Sequence, residues 1–222
     1  MYMKKSIIPI LVVFACVIMG IVDAVIQPGY MGKSLIKVTL FLLIPIVYSL
    51  FTKDDFISKV MRADRRGFSF ALILGVGIYF AILGVYFALR NVFDFSALTS
   101  SLNETTGVNE ENFLWVALYI SFVNSLLEEF FFRGFAFLTL KKSTSKVFAY
   151  VFSSAAFSLY HIAMMIGWFG VPVILISLLG LFAGGLIFNK FDDKRENIYL
   201  SWLVHMFANF SINTIGLILF AG

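Results

Sequence analysis

Asn124-Ser-Leu-Leu-Glu-Glu-Phe-Phe-Phe-Arg133 places two adjacent carboxylates and a guanidinium inside an apolar run long enough to cross a membrane. On insertion scales, each charged residue near the centre of a bilayer costs about 2.5–3.5 kcal/mol. Three such residues are tolerated if they pair with one another or face a wet cavity within the protein. The stretch therefore predicts a functional cluster inside a membrane domain.

The composition of the chain is typical of an integral membrane protein. Of its 222 residues, 60% are hydrophobic and 14% are charged, whereas a soluble domain has about 45–50% apolar and about 25% charged residues. The net charge of +4 comes from basic residues in short segments between apolar runs, which argues against a nucleic-acid partner. The single cysteine, Cys16, allows no intrachain disulfide.

Apolar runs predict an all-α integral membrane bundle of about seven transmembrane helices in one polytopic domain, 1–222. A membrane-spanning helix needs about 20 apolar residues. We place the spans at residues 7–26, 35–51, 68–89, 113–140, 147–166, 173–188 and 198–220.

Two segments near these spans have alternative interpretations. Lys4 and Lys5 before the first run suit a signal peptide as well as a first helix, but the run is long enough to span, so we favour a retained helix. In the polar segment 53–67, Phe56 and Val60 share one apolar helical face. That pattern predicts a short interfacial helix, although a solvated loop suits the same segment.

The basic residues are distributed asymmetrically between the connections. The N-terminus and three alternate connections hold 13 of the 17 lysines and arginines. By the positive-inside rule, this distribution predicts a cytoplasmic N-terminus and an external C-terminus in a multi-pass protein of the cell membrane. Lys37 and Arg90 are then expected at span ends on the other side of the membrane from the basic connections.

Helical spacing separates the charged cluster into two faces. Glu129 and Arg133 are four residues apart, which predicts an ion pair on one stripe of the helix. Asn124 and Glu128 lie on a neighbouring stripe, so Glu128 is expected to have no local cation. The same cluster could instead serve only to hold helices together.

Histidines and an asparagine in two later spans are expected near this cluster. His161 lies in the fifth span, and His205 and Asn209 share one face of the seventh at four-residue spacing. Each could be an interior hydrogen-bonding residue. With a rise of 1.5 Å per residue, however, Glu128 and His161 both lie roughly 20 Å from the basic turn that joins their helices. This shared depth predicts that they converge.

Two chemistries suit these side chains. A carboxylate and a neutral imidazole can polarise a water for attack on a carbonyl, and a second imidazole and an amide can stabilise the oxyanion. Alternatively, Glu128, His161 and His205 could bind zinc, because two histidines and a glutamate form a known catalytic set. The H-E-x-x-H arrangement of soluble zinc proteases is absent from the sequence.

Three motifs together resemble the CPBP intramembrane proteases, which include type II CAAX prenyl endopeptidases and bacterial Abi or lysostaphin-resistance-like proteins. The resemblance covers about residues 113–220, which we interpret as the catalytic core, with 1–112 as accessory spans. The motifs are E-E-x-x-x-R (Glu128, Glu129, Arg133), F-x-x-x-H (Phe157, His161) and H-x-x-x-N (His205, Asn209).

The resemblance implies hydrolysis of a peptide bond within the membrane. Glu128 and His161 would activate the water, and His205 and Asn209 would form the oxyanion site. Glu129, with the arginine that follows it, would orient these groups. We favour metal-independent chemistry with no cofactor, although zinc remains possible.

The expected partners are a lipid bilayer and a peptide or membrane-tethered protein tail. In a bacterial membrane, maturation of a peptide such as a bacteriocin suits the chain better than CAAX cleavage, because bacteria generally lack protein prenylation. The alternative function is a non-proteolytic membrane interaction protein, such as a bacteriocin self-immunity protein or a scaffold. A proton-coupled transporter ranks last, because no internal repeat is visible.

Overall fold

The structure, a computed structural model, describes residues 2–62, 66–93, 95, 97–166 and 169–221, and this part of the chain contains helices and no strand. Seven helical segments are long and apolar enough to cross a membrane, so the predicted all-α membrane bundle is confirmed. In chain order the helices of the described residues are α1 (Ile7–Ile26), α2 (Gly29–Thr52), α3 (Phe56–Val60), α4 (Phe68–Leu89), α5 (Ala97–Thr106), α6 (Glu110–Thr139), α7 (Lys146–Met165), α8 (Val171–Arg195) and α9 (Tyr199–Phe220). The seven candidate spans are all of these except the short helices α3 and α5.

Two predicted span boundaries are wrong, and both corrections bring a polar side chain into the bundle. Helix α2 begins at Gly29, so Lys37 lies about two turns inside the helix rather than at its N-terminal end. Helix α8 continues to Arg195, so Asp192 is a buried helical residue instead of part of a loop. Both polar side chains find partners on other helices, which allows the helices to extend beyond the apolar runs.

The short helix α3 forms in the predicted segment, and its apolar face packs against protein. Phe56 and Val60 are buried, and the Phe56 ring lies 5.9 Å from the ring of Phe135 on α6, measured between centroids. The Val60 carbonyl accepts a hydrogen bond from the backbone N–H of Ile198, just before α9. The solvated-loop alternative is therefore excluded.

Helix α6 is the centre of the bundle. Every residue from Leu127 to Leu140 is buried, because α1, α2, α3, α7, α8 and α9 surround this segment. Phenylalanine rings fill the contacts, and the ring of Phe131 stacks on that of Phe41 from α2 at 4.1 Å. The backbone is π-helical over Ile120–Asn124 and Glu129–Thr139. Such windings occur frequently at functional sites.

Candidate active site

Glu129 connects an arginine and a histidine on two different helices. Its Oε2 lies 3.2 Å from Nε of Arg133, which confirms the predicted ion pair. Its Oε1 lies 2.8 Å from Nδ1 of His205 on α9. Because a carboxylate can only accept, Nδ1 carries the proton and donates it to Glu129. The other ring nitrogen, Nε2, is left to face Glu128.

Arg133 is completely buried between aromatic faces and a second carboxylate. The centre of its guanidinium lies 4.0 Å from the ring centroid of Phe157 and 5.0 Å from that of Phe188. Asp192 on α8 interacts electrostatically with Arg133 and accepts a hydrogen bond of 2.7 Å from Ser201 Oγ. Sequence reasoning missed Asp192 because it lies in a charged stretch that resembles a loop.

Glu128 is ion-paired with a lysine that sequence reasoning placed elsewhere. Lys37 Nζ forms a hydrogen-bonded ion pair with Glu128 Oε1 and donates to Asn124 Oδ1 at 2.6 Å. The Asn124 side-chain amide in turn donates to Glu128 Oε1 at 3.1 Å. The expectation that Glu128 has no nearby cation is therefore wrong, since the cation comes from α2. The signal was a lysine within an otherwise apolar run.

His205 also approaches Glu128. Its Nε2 lies 3.7 Å from Glu128 Oε2, which is longer than a hydrogen bond. His205 thus stands between the two carboxylates of α6 and is oriented by the shorter contact, the one with Glu129. This orientation leaves one imidazole nitrogen and one carboxylate oxygen facing each other in the bundle interior.

His161 lies at a break between two helical parts of α7. Its Nδ1 lies 2.7 Å from the backbone carbonyl of Phe157, to which it must donate because a carbonyl oxygen only accepts. In a neutral ring, Nε2 then holds the free lone pair. His161 and Glu128 are close enough to interact electrostatically, so α7 brings His161 near the charged cluster of α6.

Asn209 lies one turn beyond His205 and faces α6. Its side-chain amide donates to the backbone carbonyl of Ile120 at 3.3 Å. Among the described residues, it forms no hydrogen bond with Glu128, Glu129 or either histidine. The amide has a second N–H, which is not used by this contact.

The proposed zinc ligands do not form a metal site in this structure. Within the described ranges, no three His, Cys, Asp or Glu side chains are grouped so as to hold a metal ion. The Lys37 ammonium contacts Glu128 directly, and its positive charge opposes the approach of a cation to that carboxylate. In this structure Glu128, His161 and His205 are therefore not arranged as a metal-binding set.

Comparison with known proteins finds a match to one family model. Residues 110–211 match the family model described as Rce1-like, type II CAAX prenyl endopeptidase. This range contains all six side chains predicted for the site, and it ends before the last turns of α9 and excludes α2. The resemblance stated from the motifs is confirmed. No match was found among curated proteins or among solved structures.

Proposed function

Because residues 110–211 match the family model described as Rce1-like, type II CAAX prenyl endopeptidase, we propose that this multi-pass membrane protein is an intramembrane endopeptidase. The substrate is a membrane-associated peptide or protein tail. The observation that carries the proposal is the buried arrangement of His205 between Glu128 and Glu129, inside the segment that matches the family. Two carboxylates and an oriented imidazole can supply the proton transfer and the oxyanion stabilisation that promote peptide hydrolysis.

Glu128 acts as general base in this proposal, and His161 assists it. As the water oxygen bonds to the carbonyl carbon of the substrate, Glu128 Oε2 takes one proton from the water. The free Nε2 of His161 accepts a hydrogen bond from the same water and holds it in line. When the C–N bond breaks, the proton passes from Glu128 to the leaving amine, which restores the carboxylate.

His205 and Asn209 stabilise the negative oxygen of the tetrahedral intermediate. Since His205 Nδ1 already donates to Glu129, Nε2 donates to the oxyanion only when the ring is an imidazolium. Asn209 contributes the N–H that its contact with Ile120 leaves free. Glu129 and Arg133 fix the orientation of the ring.

The reaction is proposed to be independent of metal, and the chain to lie in a cell membrane with a cytoplasmic N-terminus. The contact of Lys37 with Glu128 supports metal independence, because the ammonium already balances the carboxylate charge. The distribution of lysine and arginine supports the orientation.

Cleavage by the purified protein in liposomes tests the proposed activity. We expect hydrolysis of a quenched fluorescent peptide, offered with a farnesylated cysteine four residues from its C-terminus or with the same cysteine unmodified. Comparison of the two peptides shows whether a prenyl group is required. Activity is expected to survive dialysis against a chelator. If neither peptide is cleaved, and a hydrophobic leader peptide is not cleaved either, the interaction-protein alternative is favoured. If activity is lost on chelation and recovered on addition of zinc, metal independence is overturned.

Substitution of two asparagines on α9 separates a catalytic role from a packing role. Asn209→Ala is expected to lower kcat by about 10²-fold, because one oxyanion donor contributes about 10²–10³-fold. Asn213→Ala is the matched control, since Asn213 donates to the Ala117 carbonyl at 3.1 Å and to Ser121 Oγ, one turn further along. The control is expected to keep kcat near the wild-type value. Equal losses in the two variants would assign Asn209 to helix packing.

A further inference from the structure

We propose that Lys37 is a positioning residue of the same site, which anchors Glu128 and fixes which of its two oxygens reacts. This inference rests on the proposed function, because it concerns the general base. Lys37 lies in α2, outside residues 110–211 that match the Rce1-like family model. The site is therefore completed by a helix that the family match does not include.

The residues around Lys37 stabilise a buried positive charge. Its side chain is 6% exposed, and its ammonium lies between Glu128 Oε1 and Asn124 Oδ1. The same ammonium lies 5.5 Å from the ring centroid of Phe41 and 5.1 Å from that of Tyr160. Aromatic faces attract cations at such distances. Carboxylate, amide and rings together hold the charge in one place.

The contacts of Lys37 make the two oxygens of Glu128 different. Oε1 receives the ammonium of Lys37 and the amide N–H of Asn124. Oε2 accepts no hydrogen bond from the residues that the structure describes, and His205 Nε2 lies 3.7 Å from it. Oε1 is thus the anchored oxygen, and Oε2 is the oxygen free to take a proton.

Each carboxylate of the site has its own cation. Arg133 pairs with Glu129 on α6, and Lys37 reaches Glu128 from α2. When Glu128 takes a proton, Lys37 loses an anionic partner but keeps the neutral acceptor Asn124 Oδ1. Asn124 therefore holds the ammonium in position throughout the reaction, so that the charged form of Glu128 is restored on proton release.

A double-mutant cycle tests the ion pair without any need for a substrate. The unfolding midpoint in detergent is measured for Lys37→Met, Glu128→Gln and the double variant. Because the partners are in contact, we expect the double variant to lose less than the sum of the single losses. The matched control is the same cycle with Lys33→Met in place of Lys37→Met. Lys33 pairs with Asp23 at 2.7 Å, so the loss in Lys33→Met is expected to add to the loss in Glu128→Gln. Additive losses for Lys37 and Glu128 would overturn the proposal.

Kinetics then separate positioning from simple support of the fold. At a temperature well below every unfolding midpoint, Lys37→Met is expected to lower kcat by about 10²-fold, the lower limit of what a positioned general base contributes. KM is expected to change by less than about threefold, because the loss arises in the transition state. Lys37→Arg keeps the charge, and its kcat is expected to be at least about tenfold higher than that of Lys37→Met. An unchanged or raised kcat in Lys37→Met, or equal activity of the two variants, would overturn the proposal.

The outcomes distinguish this inference from the proposed function. If Glu128→Gln keeps full cleavage activity, Glu128 is not the base, and both the mechanism and the role of Lys37 fail. If Glu128→Gln is inactive while Lys37→Met retains the wild-type kcat, the endopeptidase assignment stands and the Lys37 assignment alone fails.

Discussion

Glutamine in place of Glu128 is expected to reduce kcat by about 10³-fold, within the 10²–10⁴-fold that a general base contributes. The amide keeps the shape of the carboxylate and an oxygen that accepts from Lys37 and Asn124, the two groups that bind Oε1. It cannot take a proton from water. Hydrolysis of the quenched peptide in liposomes, with substrate saturating, measures the effect.

The control for this substitution is a glutamate on the same helix. Glu111 is exposed in the first turn of α6, and Glu111→Gln is expected to keep the wild-type kcat. An exposed charge near a helix N-terminus contributes only about 0.3–1 kcal/mol to stability. If Glu128→Gln and Glu111→Gln have the same kcat, the charged cluster serves only to join the helices.

Methionine in place of Arg133 is expected to lower the free energy of unfolding by about 3–5 kcal/mol, because removal of one partner leaves buried charge uncompensated. Glu129 would lose its ion-pair partner, and Asp192 would lose the cation near it. The cation–π contacts of Arg133 with Phe157 and Phe188 would also be lost. Reversible unfolding in mixed micelles measures the change.

Two further variants identify the cause of that loss. Arg133→Lys keeps a charge but not the planar stack on the rings, so it is expected to lose less stability than Arg133→Met. Arg133→Met combined with Glu129→Gln removes both members of the pair and is expected to recover part of the loss. If Arg133→Met is as stable as the wild type, the buried pair contributes nothing and the predicted energetic role is wrong.

Local patterns in the sequence predicted the features that depend on local geometry. Hydropathy and length located the spans, since a helix must be apolar over its length to cross a bilayer. The spacing of Glu129 and Arg133 predicted their ion pair because residues four apart are neighbours on a helix. The three motifs together indicated the family whose model residues 110–211 match.

The missed features depend on contacts between distant parts of the chain. Lys37 and Glu128 are 91 positions apart, and no spacing rule relates residues on α2 and α6. A lysine within a few turns of the end of a span resembles a residue at the span end unless its partner is known. The prediction for Asp192 failed for the same reason. Its hydrogen-bond donor, Ser201, lies on a different helix, α9.

The origin of Lys37 in α2 limits how this protein can be divided or recombined. A chimera that places residues 110–211 on the N-terminal helices of another protein would bury Glu128 without its counter-ion. The carboxylate would then be protonated, or the helix would shift to reach water. Domain exchange must therefore transfer α2 together with α6. A natural replacement of Lys37 is expected to appear alongside a compensating cation on a neighbouring helix.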